Sequence, residues 1–350
     1  MSYKDGMAAM NLEFSDRVPR TEYSADFHWE LIKEVTGMDC VDNTEIRGAA
    51  SKRFKEIWNY DMIWNILVGG GHLTGPRSSM GHAVYQADSS DYNSNVFTAF
   101  KETEDVYKID MFELYGKVDH NKMVSDFNAH YKASCAGYPD TVNMTGVYIT
   151  CISGLIEMFG WEMLLEALGE DPVKFGEVTN RYCEWISQHF RALADSDAEV
   201  VMIHDDIVWT EGAFVAPEWY RKYVFANYKK MFAPLIESGK KILYTSDGTY
   251  TEFLDDIAAC GVNGFVFEPT TDMQYAADKY GKTHVLIGNA DTRILLGGTK
   301  DDIYNEVKRC MDIGKQYPGF MLAVGNHIPP NTPVQNCLWY NEFYEKLGKR

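Results

Sequence analysis

The sequence predicts one α/β domain, a (β/α)8 TIM barrel spanning residues 1–350. Three observations carry that expectation. Short, β-rich apolar runs recur about eight times along the chain, and a turn with a long amphipathic stretch follows each of them. No internal repeat, low-complexity tract or Pro/Ser linker divides the 350 residues. The rival, an open doubly wound sheet, is disfavoured because no run is followed by a GxGxxG turn.

In chain order, Val18–Tyr23 is the weakest run, and Met62–Val68 (MIWNILV) and Thr141–Ile149 are the next two. Glu199–His204 (EVVMIH), Lys241–Thr245 (KILYT), Gly264–Glu268 (GFVFE), Thr283–Gly288 (THVLIG) and Gly319–Val324 (GFMLAV) complete the set. Between them, Pro217 suits the first turn of a helix, where its missing N–H costs nothing. Gly239 suits a left-handed cap at the other end of that helix. Thr251 with Asp255, Thr299 with Asp302, and Thr332 before Pro333 read as further helix starts. Residues 69–140, marked by Gly69–Gly71, Gly75–Pro76 and Gly81, are expected to form an irregular insertion between the second and third strands, at the barrel mouth.

Composition excludes several classes. Lys+Arg number 33 against 51 Asp+Glu, a net charge of −18, and a field of that sign repels nucleic acid. No apolar run reaches the roughly 18 residues of a membrane span. The opening residues lack a basic segment followed by an apolar one, so the expected location is the cytoplasm. The seven cysteines are scattered, odd in number and contain no CxxC pair, which fits reduced, buried thiols rather than disulfides or a cysteine metal knuckle.

In a barrel the site lies at the carboxyl ends of the strands. His204-Asp205-Asp206 follows EVVMI directly, and alternation puts His204 and Asp206 on one face with Asp205 on the other. His204 and Asp206 can ligate a metal or work as an acid/base pair; equally, His204 can be a satisfied core histidine and an aspartate a loop cap. Tyr244 and Asp247 end the next run, although Asp247 before Gly248 also suits a plain turn. Glu268 terminates an otherwise apolar strand, as a ligand, a base or the partner of a basic side chain. Asn289 and Asp291 close a further run, Asp291 with the option of capping the next helix. Asn326 and His327 end the last one, ahead of Pro329-Pro330.

The ordered series VMIHDD, PEWYRKYVFANYKKMFAPLIESGKKILYTSDG, GVNGFVFEP, GKTHVLIGNADTRILLGGT and GFMLAVGNHIPPNTP resembles the uroporphyrinogen decarboxylase superfamily over residues 155–349. That superfamily has a (β/α)8 fold and two chemistries. The decarboxylases carry an early RQAGR-type motif that grips porphyrinogen carboxylates. Here the corresponding segment is FSDRVPRTEYSADFHWELI, in which Arg17 and Arg20 are the only guanidiniums. The chain looks more like the branch that moves methyl groups to or from a corrinoid protein, including the DRVPR opening. That branch's zinc site uses a His-x-Cys pair and a late Cys, with a Glu added in related enzymes. By position, Tyr244, Ser246 and Asn326 replace the His and both Cys, and only Glu268 is kept.

The resemblance therefore implies a methyltransferase that moves a methyl group from a small methylated substrate, a phenyl methyl ether for example as in O-demethylase systems, to a separate cobalamin-binding corrinoid protein. It implies that any zinc is held by oxygen and nitrogen ligands, Glu268 and His327. His204, Asp206, Tyr244 and Asp247 would be catalytic, and Asn289, Asp291 and Asn326 would bind substrate. The alternatives are a cofactor-independent decarboxylase that uses the Asp205/Asp206 pair, and an inactive barrel that serves as a binding subunit.

Overall fold

The computed structural model describes residues 1–23, 25, 27–79 and 97–350. Seven parallel strands form one sheet in sequence order. They are β1 (Met62–Ile63), β2 (Val142–Val147), β3 (Val200–His204), β4 (Lys241–Ser246), β5 (Gly264–Phe267), β6 (Val285–Ala290) and β7 (Phe320–Val324). Helices connect successive strands and pack on the outer face. Among the described residues, no helix is long and apolar enough to cross a membrane.

Among the described residues the sheet has seven strands where eight were expected, because carboxylates replace the ladder along Val18–Tyr23. The Arg20 amide donates to Asp61 Oδ2 (3.0 Å), and the amide of Val324 donates to Glu22 Oε2 (2.8 Å). Pro19 has no N–H to contribute. A single parallel bridge, Arg20 to Leu322, survives. The segment nonetheless ties the two edges of the curled sheet together. The Thr21 amide donates to Leu322 of β7 at 3.1 Å, and the Asp61 amide, just before β1, donates to the Arg20 carbonyl at 2.7 Å. β1 is likewise shorter than its apolar run. His130 Nε2 takes the Asn65 carbonyl at 3.0 Å, and pairing resumes only at Val68, opposite Val147.

Two apolar clusters follow from strand alternation. Met62, Met144, Val200, Met202, Leu243 and Val266 fill the inside of the curl. Val201, Ile203, Ile242, Tyr244, Phe265 and Phe267 pack outward against the helices. An N-terminal helix that the sequence reading missed, Tyr3–Met10, contributes Ala9 and Met10 to the inner cluster. It lies so close to the start of the strands that a Cβ on Gly6 would sit 2.4 Å from the Asp61 carbonyl oxygen.

Within 69–140, the segment expected to be irregular, the described residues include the helices Thr103–Tyr107, Met111–Tyr115 and His120–Gly137. The last is a regular 18-residue helix, capped by Asp119 and packed on Pro172–Ala194. Residues 80–96, with the loop signal Gly81, lie outside the described residues. Other helix boundaries fall close to their signals. Pro217 opens Pro217–Tyr220, Gly239 is left-handed (φ +73°) just past Ala226–Glu237, and Thr299 makes a reciprocal capping box with Asp302.

Candidate functional site

A cavity of about 330 Å³ opens at the carboxyl ends of the strands. Met202, Thr245 and Val266, inward-facing on β3, β4 and β5, form its floor. Its walls are aromatic. Tyr23 stacks on Trp64 with ring centroids 4.6 Å apart, and Tyr148 stacks on His204 at 3.5 Å. Phe27 stands at the lip, 67% exposed. Alternation explains these positions: Trp64 and Ile66 continue the inward parity of Met62, as Tyr148 continues that of Met144.

His204 faces the cavity at the end of β3, nearly fully buried. Its Nε2 lies 3.1 Å from Asp206 Oδ1 and its Nδ1 3.0 Å from the Tyr148 carbonyl. Both ring nitrogens therefore have an acceptor, an arrangement that suits the imidazolium. Burial pulls the other way, but the Asp206 charge and hydrogen bond prevail and raise the pKa above the ordinary histidine value. His204 is thus paired with Asp206, with both ring nitrogens engaged.

Asp205 points outward, as alternation requires. Its Oδ1 accepts the amides of Cys151 (3.2 Å) and Ser153 (2.7 Å) at the start of the helix Ile152–Glu170, and Tyr228 donates its hydroxyl to Oδ2. Burial pushes its pKa up to about 6 against those hydrogen bonds. Ser153 ties the two faces together, because its Oγ accepts the Asp206 amide at 2.8 Å.

On β4 and β5, Asp247 lines the cavity and its amide donates to Asp206 Oδ1 at 2.9 Å. Asp247 is exposed on its cavity side, with protein packed around the rest of it. Burial, then the charges of Asp206 and Glu268, push its pKa up to about 8, while His204 and the Asn326 amide oppose the shift. Both oxygens of Glu268 are engaged: Oε1 accepts Asn326 Nδ2 at 2.6 Å and Oε2 accepts the Gly248 amide at 2.7 Å. The His327 amide donates to Asn326 Oδ1 at 2.8 Å, and its ring meets Tyr23 edge-on at 6.3 Å.

His204, Asp206, Asp247, Glu268, Asn326 and His327 thus form one connected set. Three expected site residues lie elsewhere. Tyr244 has outward parity and donates its hydroxyl to the Asp205 carbonyl at 3.1 Å, buried beneath the helices. Asn289 is held by Arg309, whose Nη2 donates to Asn289 Oδ1 at 2.9 Å. Asp291 caps the helix Thr292–Gly297 and pairs with Arg293 at 2.7 Å. The expected zinc ligands Glu268 and His327 are joined through Asn326. Among the described residues no three His, Cys, Asp or Glu side chains converge as a metal-binding group, and the Glu268 oxygens are taken. The described donors by themselves do not make up the four-coordinate set of a zinc site.

The cavity lining contains no Lys or Arg among the described residues, and residues 80–96 contain none in sequence. The two early arginines serve the fold. Arg17 makes a bidentate pair with Asp61, both bonds 2.7 Å. Arg20 is fully buried on Glu22 (3.0 Å), with its guanidinium over the rings of Trp58 (4.3 Å), Tyr344 (4.9 Å) and Tyr340 (5.0 Å).

Comparisons with known proteins agree with this architecture. The family model described as uroporphyrinogen decarboxylase (URO-D) matches residues 90–346. The uroporphyrinogen decarboxylase of Carboxydothermus hydrogenoformans is 25% identical over 216 residues, 61% of this chain and 60% of that protein. A uroporphyrinogen decarboxylase of Thermus thermophilus is 27% identical over 191 residues, 55% of this chain and 51% of that protein. The chain thus matches half to three fifths of the length of these curated relatives. Among solved structures, a methyltransferase from Methanosarcina mazei superposes with a TM-score of 0.65 at 16% identity over 99% of both chains; the likeness is one of fold.

Proposed function

The chain belongs to the uroporphyrinogen decarboxylase family, and within it we propose a methyltransferase: a small methylated substrate binds in the aromatic cavity and its methyl group passes to the corrinoid of a separate cobalamin-binding protein. The observation that carries this reading is the cavity itself, walled by Tyr23, Trp64 and Tyr148 with no Lys or Arg among its described lining residues. A porphyrinogen with many carboxylates needs guanidinium or ammonium partners, whereas a compact methylated molecule needs apolar walls and a few polar anchors. The corrinoid, reduced to Co(I), supplies the nucleophile for the methyl carbon. The chain's own residues bind and orient the donor. The His204–Asp206 pair fixes the Tyr148 wall, and Asn326 holds Glu268 beside Asp247.

The names of the curated relatives favour the second reading, decarboxylation. The Asp205/Asp206 pair it relied on is divided between opposite faces of β3, and Asp205 is committed to the start of a helix. A spectroscopic test separates the two readings. Purified protein mixed with methyl donors and a reduced corrinoid protein is expected to convert the Co(I) spectrum to that of methylated corrinoid. CO2 release from a carboxylated tetrapyrrole, with no such conversion, would overturn the proposal.

A further inference from the structure

We infer that the methyl donor is a quaternary ammonium compound, recognised by its positive charge; this rests on the methyl-transfer reading and narrows it. The first support is the set of rings. Tyr23, Trp64 and Tyr148 surround one 330 Å³ space with Phe27 at its lip, and faces of aromatic rings attract a tetraalkylated nitrogen through their quadrupoles. The second is the balance of charge. His204 and Asp206 neutralise one another at 3.1 Å. That leaves Glu268, whose oxygens accept the amide groups of Asn326 and Gly248 while nearby Arg293 is paired with Asp291; Asp247, its pKa pushed up to about 8, adds no full charge at neutral pH. With no Lys or Arg in the described lining, the surplus charge at the cavity is negative, and an uncharged ether would leave it uncompensated.

The third support is chemical. When a methyl group leaves a quaternary nitrogen, the C–N bond breaks, its electron pair stays on nitrogen, and a neutral tertiary amine departs. The new bond to the methyl carbon takes its electron pair from the Co(I) corrinoid of the partner, and the cobalt is formally oxidised to Co(III). No proton has to be delivered to this leaving group and no Lewis acid has to polarise it. An alkoxide or phenolate leaving group requires one or the other. Among the described residues, His204 is engaged by Asp206 and the Tyr148 carbonyl and no three His, Cys, Asp or Glu side chains converge, which suits the first case.

The experiment compares two ligands of one shape and different charge, choline and 3,3-dimethylbutan-1-ol, on the full chain by calorimetry and tryptophan fluorescence. Choline is expected to bind at least ten-fold more tightly. Glu268→Gln and Trp64→Leu should each reduce that preference several-fold, and Trp64→Phe, which keeps a ring, should retain most of it. Equal affinity for the two, or no binding of choline where 2-methoxyphenol binds, would overturn the inference. Transfer from 2-methoxyphenol but not from choline or its relatives would also defeat it and leave the methyltransferase reading standing. A clear preference for choline with no methyl transfer from any donor would defeat that reading while upholding the charge selectivity.

Discussion

His204 Nε2 lies 3.1 Å from Asp206 Oδ1, and the residue between them, Asp205, faces the opposite side of the sheet and accepts the amide of Ser153 at 2.7 Å. Three consecutive residues at one strand end therefore do two jobs. Two shape the cavity, and the third anchors the helix behind it.

The anchoring role predicts a stability effect. Asp205→Ala leaves the Cys151 and Ser153 amides and the Tyr228 hydroxyl without their acceptor. Hydrogen bonds to charged groups contribute roughly 1.5–3 kcal/mol, so a loss of about 3 kcal/mol is expected in urea denaturation. A loss below about 0.5 kcal/mol would contradict the assignment.

The His204–Asp206 pair predicts a titration. His204 has its pKa raised in the folded protein, so its pairing stabilises the fold fully below the unfolded histidine value and the contribution is lost as pH rises through the folded one. Asp206→Asn removes the charge and should lower the His204 pKa, read from the imidazole proton shifts in NMR. An unchanged or higher value would show that the pair does not govern the histidine.

Asp247 behaves with the opposite consequence for a carboxylate. Its folded pKa, about 8, lies above that of an unfolded aspartate, so the native state binds its proton more tightly. The associated stability is fully present below the unfolded aspartate value and is lost as pH rises toward 8. Asp247→Asn removes this loss, and its urea midpoint relative to the unaltered protein should be higher at pH 8 than at pH 5. A difference independent of pH would refute the assignment.

Arg20 predicts a structural effect in place of a substrate clamp. Removing one member of a buried ion pair costs about 3–5 kcal/mol because the other is left uncompensated. Arg20→Met should therefore lower stability by about that amount, with Glu22 stranded beneath Tyr340. Loss of substrate affinity at unchanged stability would return Arg20 to a binding role.

Much of this was legible in the sequence, for a physical reason. Strand parity is local, so the inward pairing of His204 with Asp206 and the outward turn of Asp205 follow from EVVMIHDD alone. The same parity would have found Trp64 and Tyr148, counted from Met62 and Met144, and would have turned Tyr244 outward, since Leu243 and Thr245 face inward. What parity cannot reach is long-range side-chain competition. Asp61 and Glu22 replace the ladder partners that Val18–Tyr23 needed, and Arg309 holds Asn289 from the helix Lys300–Gly314. Asp291 showed its capping role in its own neighbourhood, directly before Thr292–Gly297.

The most direct measurement follows the label itself. A donor carrying a 13C-methyl group on quaternary nitrogen is incubated in a single turnover with this protein and a reduced corrinoid protein, and NMR locates the carbon. The account predicts the label on the corrinoid and an equal amount of tertiary amine, both lost in Trp64→Leu and retained in Trp64→Phe. Label that stays entirely on the donor, while the protein releases CO2 from a carboxylated tetrapyrrole, would contradict it.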